Sequence, residues 1–231
     1  MSDLTDANIT AKDRFRIYLT LPKYFLYDYP KLLLRYANIL LHANWDTVFT
    51  AIFAEQDPEA ALQHELASAD HTMLDCRGRH VIDIGAYNGD TPIFYALKGH
   101  ARLVDGYEAR QQCVDSANKL IKKYGLQRKV RMHTVFVTGR EFDKIAKGVR
   151  HGALKIDIEG GERELIMNAS GAALRKFDRI YIECHYGYLD IETRLKKEGF
   201  RVTHTAPFYT FRGFGKPPMI MGDLYATRKY G

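Results

Sequence analysis

Acidic side chains recur in this chain where short apolar runs end, and acids so placed can hold a cation, bind hydroxyl groups or accept a proton. Asp83 lies within Val81-Ile82-Asp83-Ile84, just before the turn Gly85-Ala86-Tyr87-Asn88-Gly89-Asp90. Glu108 ends the next such run, LVDGYE, and is followed by Ala109 and Arg110. Asp157, Glu159 and Glu162 follow Ala153-Leu154-Lys155-Ile156, with Gly160 and Gly161 among them. Glu183 stands near the end of RIYIEC, and His185 follows it.

The first cluster reads as a ligand turn. Gly85 and Gly89 allow positive φ and close approach of backbone to a ligand. Pro92 suits the first turn of a following helix, whose N-terminal N–H groups are unpaired. The dinucleotide fingerprint G-x-G-x-x-G is absent, because three residues separate the two glycines. Asp83 is awkward beside a pyrophosphate and suits a cationic or hydroxyl-bearing ligand such as S-adenosylmethionine. Glu108 is placed to accept hydrogen bonds from two ribose hydroxyls. Asp83, Gly85, Ala86, Tyr87, Gly89, Asp90, Glu108 and Ala109 are thus the candidate cofactor residues. The structural alternative is an ordinary strand–turn–helix without a ligand.

The second cluster reads as the reacting end. Asp157 and Glu159 alternate along an extended chain and so point the same way. Mutual repulsion makes such acids costly unless something cationic or hydroxylic lies beside them. Lys155 alternates with Asp157 and is its candidate ion-pair partner. Glu162 and Glu164 open a helix, where its dipole favours negative charge. Glu159 either joins Asp157 in the site or holds the glycine turn together. A base that takes a hydroxyl proton must lie within about 3 Å of it. Asp157 and His185 are the candidates, with Glu159 as the third catalytic residue. Asp157, Glu159 and Glu183 also offer oxygens of the kind magnesium prefers. Strand-end carboxylates are common without metals, and the expectation is that none is held.

The stretches DIGAYNGD and GYEAR resemble the first two motifs of class I S-adenosylmethionine-dependent methyltransferases, and LKIDIEGGERELI is similar to the K-I-D-x-E-G-x-E signature of the FkbM type. The resemblance covers about Met73 to Lys229. It implies S-adenosyl-L-methionine as cofactor and O-methylation of a hydroxyl on a sugar, a glycan-linked acceptor or another small metabolite. It also places the loop after the third strand beside the adenine, so that Phe136 packs on its face; the alternative is Phe136 in the core. Longer relatives carry a β-rich insertion before the fourth strand, where this chain has only REFDKIAKGVRHGA. The N/D-P-P-Y/F tetrad of amino-group methylation is absent from the fourth strand. RNA methylation, or a binding module that keeps the fold without catalysis, are the rival readings.

The positioning elements follow from periodicity. Strands are expected at 80–84, 101–107, 130–135, 153–158 and 179–184, alternating with helices at 91–99 and 111–124. That alternation argues a Rossmann-like α/β fold, a mostly parallel sheet with helices on both faces. A helix at 192–198 and two last strands, 200–205 and 221–228, complete it; class I methyltransferases end in an antiparallel pair. The last two strands are joined by a loop rich in aromatics and basic residues, from Phe208 to Lys216. Residues 73–231 form this domain, and residues 1–72 an N-terminal helical extension. Phe15, Tyr18 and Leu19, then Leu32 to Leu40, then Trp45 to Phe53, form apolar stripes at helical spacing. They read as core, with Lys23, Tyr24, Tyr27 and Tyr29 as candidates for a lid.

The net charge of +6 permits an anionic partner but shows no dense basic run, so nucleic acid is not favoured. Cys76, Cys113 and Cys184 have no C-x-x-C spacing, which argues against a disulfide framework or zinc site. With no signal-peptide pattern and no long apolar run, a cytoplasmic protein is expected.

Overall fold

The computed structural model describes residues 8–23, 58–67, 74–210 and 219–228. The sheet is centred on β1 (His80–Ile84), which pairs in parallel with β2 (Leu103–Glu108) on one side and β4 (Gly152–Ile156) on the other. β3 (Val130–Thr134) extends it beyond β2, and β5 (Phe177–Cys184) beyond β4, both in parallel. β8 (Met219–Thr227) lies antiparallel beside β5. Its far edge pairs with β6 (Arg201–His204) and β7 (Phe208–Thr210). The strand order is thus β3-β2-β1-β4-β5-β8-β6, with β7 off the path.

Strands covered on both faces read as nearly unbroken apolar runs. β4 is buried throughout and β1 from its second residue. Side chains alternate between two cores. Ile82, Ile84, Leu154, Ile156, Ile180 and Ile182 share one with Phe142, Leu165 and Phe177. Val81, Val104 and Ala153 share the other with Leu62, Phe94 and Tyr95.

The helices are α1 (Ala11–Lys23), α2 (Pro58–Ala67), α3 (Asp90–Leu97) and α4 (Gln111–Lys123), then α5 (Gly139–Ala146), α6 (Glu162–Asn168), α7 (Gly171–Leu174) and α8 (Leu189–Lys197). α4 buries Val114, Ala117, Leu120 and Ile121, one face at helical spacing, and stops at Tyr124-Gly125. In α3, Pro92 stands in the first turn, where a missing N–H costs nothing.

Several elements differ from the periodicity. α8 starts at Leu189, earlier than expected, because Tyr188 and Leu189 donate backbone bonds to Asn8 O (2.8 and 3.0 Å) and the helix is pinned there. The connector after β3 carries α5, and the C-terminal loop carries β7, because the outer edge of β8 offers it unpaired backbone. In α1, Ile17 is buried while Phe15, expected in the core, is 66% exposed and faces solvent. The buried face of α1 is set by its dock on the loop before α8: Tyr188 donates to Asp13 (2.6 Å), and Thr10 caps the helix through Asp13 N (3.1 Å). The described parts of the N-terminal region pack on the sheet domain, Ile9 and Ile17 in one core and Leu62 in the other. Tyr24, Tyr27, Tyr29, the stripes from Leu32 to Phe53 and Phe211 to Lys216 lie outside the described residues.

Candidate active site

The strand order reverses between β1 and β4, and the carboxyl ends flanking such a reversal form the binding crevice of open α/β sheets. Here the crevice is a cavity of about 840 Å³, within the range of cofactor and small-molecule sites.

One side is made from backbone. Asp157 N donates to Ile84 O (2.9 Å), and Gly85 N and Ala86 N both donate to Tyr107 O (2.9 and 3.1 Å). Gly85 has φ +87°, and a Cβ there would stand 1.7 Å from Asp157 O. Gly89 has φ +83°, and its Cβ would stand 2.6 Å from Cβ of Ala117. These contacts explain the two glycines: the turn is squeezed between β4's end and α4. Tyr87 also holds positive φ, at 43°.

The structure brings Gly85, Tyr87, Asp90, Glu108, Ala109, Phe136, Asp157 and Glu159 to the cavity wall. Asp83 is fully buried and stands behind that wall. Its Oδ2 accepts from Thr91 (2.5 Å) and its Oδ1 lies 3.4 Å from Lys155 Nζ. Ala86 and Gly89 are also buried and shape the turn from behind. Glu108 Oε1 accepts from Arg110 N (3.0 Å) and Nε (2.9 Å), and the Arg110 guanidinium lies over the Tyr87 ring at 4.9 Å. Phe136 is 76% exposed, so it is a rim residue and not a core one. Tyr107 stacks on His133 at 4.7 Å, and Asp105 takes His133 (2.8 Å) and His80 (2.6 Å) on its two oxygens.

The other side is made from charge. Lys155 is buried, with Nζ 3.4 Å from Asp83, Asp157 and Gly85 O. Burial works against its charge, but the Asp83 and Asp157 carboxylates, aided by Asp90, hold it protonated well above the usual lysine range. His185, 2% exposed, meets Glu162 through Nδ1 (3.0 Å). Its Nε2 faces Glu159 (3.5 Å), Glu183 (3.9 Å) and Asp157 (4.0 Å). Burial lowers its pKa, but the Glu162 hydrogen bond and the charges of Glu162, Asp157 and Glu183 outweigh it and raise it overall. Burial, then the neighbouring charge of Asp157, pushes Glu183 up to about 7.

Glu162 holds the glycine turn: its Oε1 accepts from Ile158 N and Gly160 N, both at 3.0 Å, besides meeting His185. The backbone is not extended past Asp157, since Glu159 has φ +61°. Glu162 and His185 are 23 positions apart, and helix-end acidity masked the role; the sequence signal was the acid directly after the two glycines. Arg110 and Thr91 likewise show their partners only in the fold.

The cavity fits S-adenosylmethionine: Asp90 of the glycine turn is an acid suited to a cationic ligand, and the Glu108 carboxylate stands at the tip of β2, where it can accept from hydroxyls. The Methyltransferase FkbM domain family matches residues 57–202. Among solved structures, TrmK of M. capricolum, in complex with S-adenosyl-homocysteine, is similar at 13% identity and TM-score 0.50, covering 72% of this chain and 67% of that one. The Pyrococcus horikoshii protein PH0793 is similar at 14% identity and TM-score 0.50, covering 73% of this chain and 64% of that one, less than two thirds of its length. No curated sequence matches the chain. Among the described residues, no helix is long and apolar enough to cross a membrane. With more than half of its length matched, the chain belongs to the FkbM methyltransferase family and is an S-adenosylmethionine-dependent methyltransferase.

Proposed function

We propose that this methyltransferase acts on oxygen, on a hydroxyl of a sugar, a glycan-linked acceptor or another small metabolite. The observation that carries the reading is the set of carboxylates, Asp157, Glu159 and Glu183, that line the cavity at the ends of β4 and β5. A neutral hydroxyl must lose a proton to become a methyl ether, and carboxylates at the reacting end can take it. When bound, S-adenosylmethionine supplies a methyl group already activated on a sulfonium. Glu108 and Ala109 at the tip of β2, with Tyr87 and Asp90 of the glycine turn, would hold the nucleoside portion. Phe136 on the rim would cover its base. Asp157 would face the positive sulfur, and Lys155 holds that carboxylate at 3.4 Å. His185, held by Glu162, positions Glu159 and Asp157 or takes the proton itself.

A second reading is RNA as acceptor, which the net charge of +6 permits. The fourth strand ends in KIDIEGGE, where a tetrad for amino-group methylation would stand, and this supports oxygen over a base amine.

The experiment has two stages. Calorimetry with S-adenosylmethionine and S-adenosylhomocysteine should give micromolar binding, on the order of −8 kcal/mol. Labelled-methyl transfer is then tested on sugars and hydroxylated small molecules beside tRNA and rRNA transcripts. Label on a small hydroxylated acceptor supports the proposal. Label on RNA alone, with binding that falls steeply with salt, replaces it with the second reading.

A further inference from the structure

We infer that Asp157, Glu159 and His185 form a binding site for a divalent cation, with Mn²⁺ as the fitting probe. One ligand atom from each lies within 4.8 Å of the others. His185 Nε2 stands 3.5 Å from Glu159 Oε2 and 4.0 Å from Asp157 Oδ1. Charge-assisted hydrogen bonds between such groups close to about 2.7–2.9 Å, and these do not. Ligand atoms about 2.1 Å from a shared ion stand about 3.0 Å apart when adjacent and about 4.2 Å when opposite, which brackets both separations.

The histidine supplies an independent sign. Its side chain is 2% exposed, and Glu162 binds its Nδ1 at 3.0 Å. A carboxylate on the far nitrogen is the arrangement that orients metal-binding imidazoles and raises their basicity. Glu162 is itself fixed by Ile158 N and Gly160 N, so Nε2 is aimed by the same loop that carries Asp157 and Glu159. Lys155, the nearby cation, sits between Asp83 and Asp157. Two carboxylates with one imidazole suit Mn²⁺ and similar ions better than an all-oxygen calcium cage.

The role of the ion rests on the proposed O-methylation. Asp157 and Glu159 line the cavity, so an ion between them and His185 would present open positions to it. It would hold an acceptor through a hydroxyl oxygen together with a neighbouring oxygen, which selects vicinal diols and hydroxy-carbonyl compounds.

The test is titration of the full chain with Mn²⁺, read by the electron paramagnetic signal of free Mn²⁺ and by calorimetry. One ion per chain is expected, with affinity at least tenfold weaker in Glu159→Gln and in His185→Gln and unchanged in Glu164→Gln, an exposed acid of α6. Glu159 is 63% exposed, so its variant keeps the fold even where the His185 variant does not. Thermal melts check this. No saturable Mn²⁺ binding, or equal binding by Glu159→Gln and Glu164→Gln, overturns the site. Cofactor calorimetry on the same metal-free samples separates the two claims. Cofactor binding without Mn²⁺ binding removes the ion alone, and Mn²⁺ binding without cofactor binding removes the proposed role and leaves the site.

Discussion

The two sides of the cavity are built from different materials. The side at β1 and β2 is shaped by backbone: Asp157 N bonds Ile84 O and Gly85 N bonds Tyr107 O, with Asp90 and Glu108 the acids set on that frame. The side at β4 and β5 is side-chain charge: Asp157, Glu159, Glu183 and His185 with Glu162 and Lys155 around them. A backbone wall tolerates almost no added atom. A charged wall tolerates neutral substitutions sterically, and its balance depends on which charges are present. On the proposed function, shape for the cofactor and chemistry for the acceptor would be separated across the switch point; Lys155 joins the two sides through Asp83 on β1 and Asp157 beyond β4.

The largest effect should come from the backbone side. Gly85→Ala would place a methyl 1.7 Å from Asp157 O at a φ that β-carbon-bearing residues resist. Stability should fall by about 4 kcal/mol or more, or the protein should fail to accumulate folded. Chemical denaturation measures it. A loss below about 1 kcal/mol would show that the β1 and β4 ends part easily, and the rigid-wall description would fail.

The joint comes next. Lys155→Met leaves Asp83 and Asp157 without their shared cation, and removing one partner of a buried pair costs about 3–5 kcal/mol. Adding Asp83→Asn to Lys155→Met should recover part of that loss, because the fully buried uncompensated charge is gone. Urea midpoints of the two single variants and the double test this. Additive losses would mean that the ion pair does not join the two sides.

On the cofactor side, Glu108→Ala should weaken cofactor binding by about 1–3 kcal/mol through loss of charged hydrogen bonds to hydroxyls. Arg110 already donates twice to Oε1, so Arg110→Ala should change affinity less than Glu108→Ala does. Calorimetry on both variants decides it. Unchanged affinity in Glu108→Ala would remove the ribose assignment.

The two sides were also unequally legible in the sequence. The β1 turn could be read because its causes are local: glycines at positive φ, a strand before, a helix after. The mostly parallel sheet followed from strand–helix alternation and its antiparallel end from the family resemblance, whereas the strand order is seen only in the fold. The charged side was readable only as a collection of acids. Asp83 and Lys155 are neighbours in strand register, and so in space, yet far apart in the chain. That is why Asp83, expected on the cofactor, is found buried behind the cavity wall. Glu162 was read as helix-end charge, because its bond to His185 exists only once β5 lies next to β4. The exposure of Phe15 and the early start of α8 have the same source, the docking of residues 8–23 on the loop before α8.

The smallest predicted effect lies beneath the cofactor side and concerns pH. Asp105 is mostly buried, which disfavours its charge, but hydrogen bonds and charges from His133 and His80 outweigh burial and hold its carboxyl well below the usual range. A carboxylate with a depressed folded pKa contributes stability that is present above its unfolded value, near 3.8, and lost as pH falls towards the folded one. Wild-type stability should therefore fall between about pH 4 and pH 2.5, and Asp105→Asn should show a shallower fall, by on the order of 1 kcal/mol. At pH 7 the same variant should be less stable than wild type, because His133 loses the partner that holds it against Tyr107 on the cavity wall. Urea midpoints at pH 2.5, 4 and 7 measure both. If the two proteins lose stability in parallel on acidification, Asp105 is not what braces that wall, and Tyr107 is held by its backbone bonds to Gly85 and Ala86 alone.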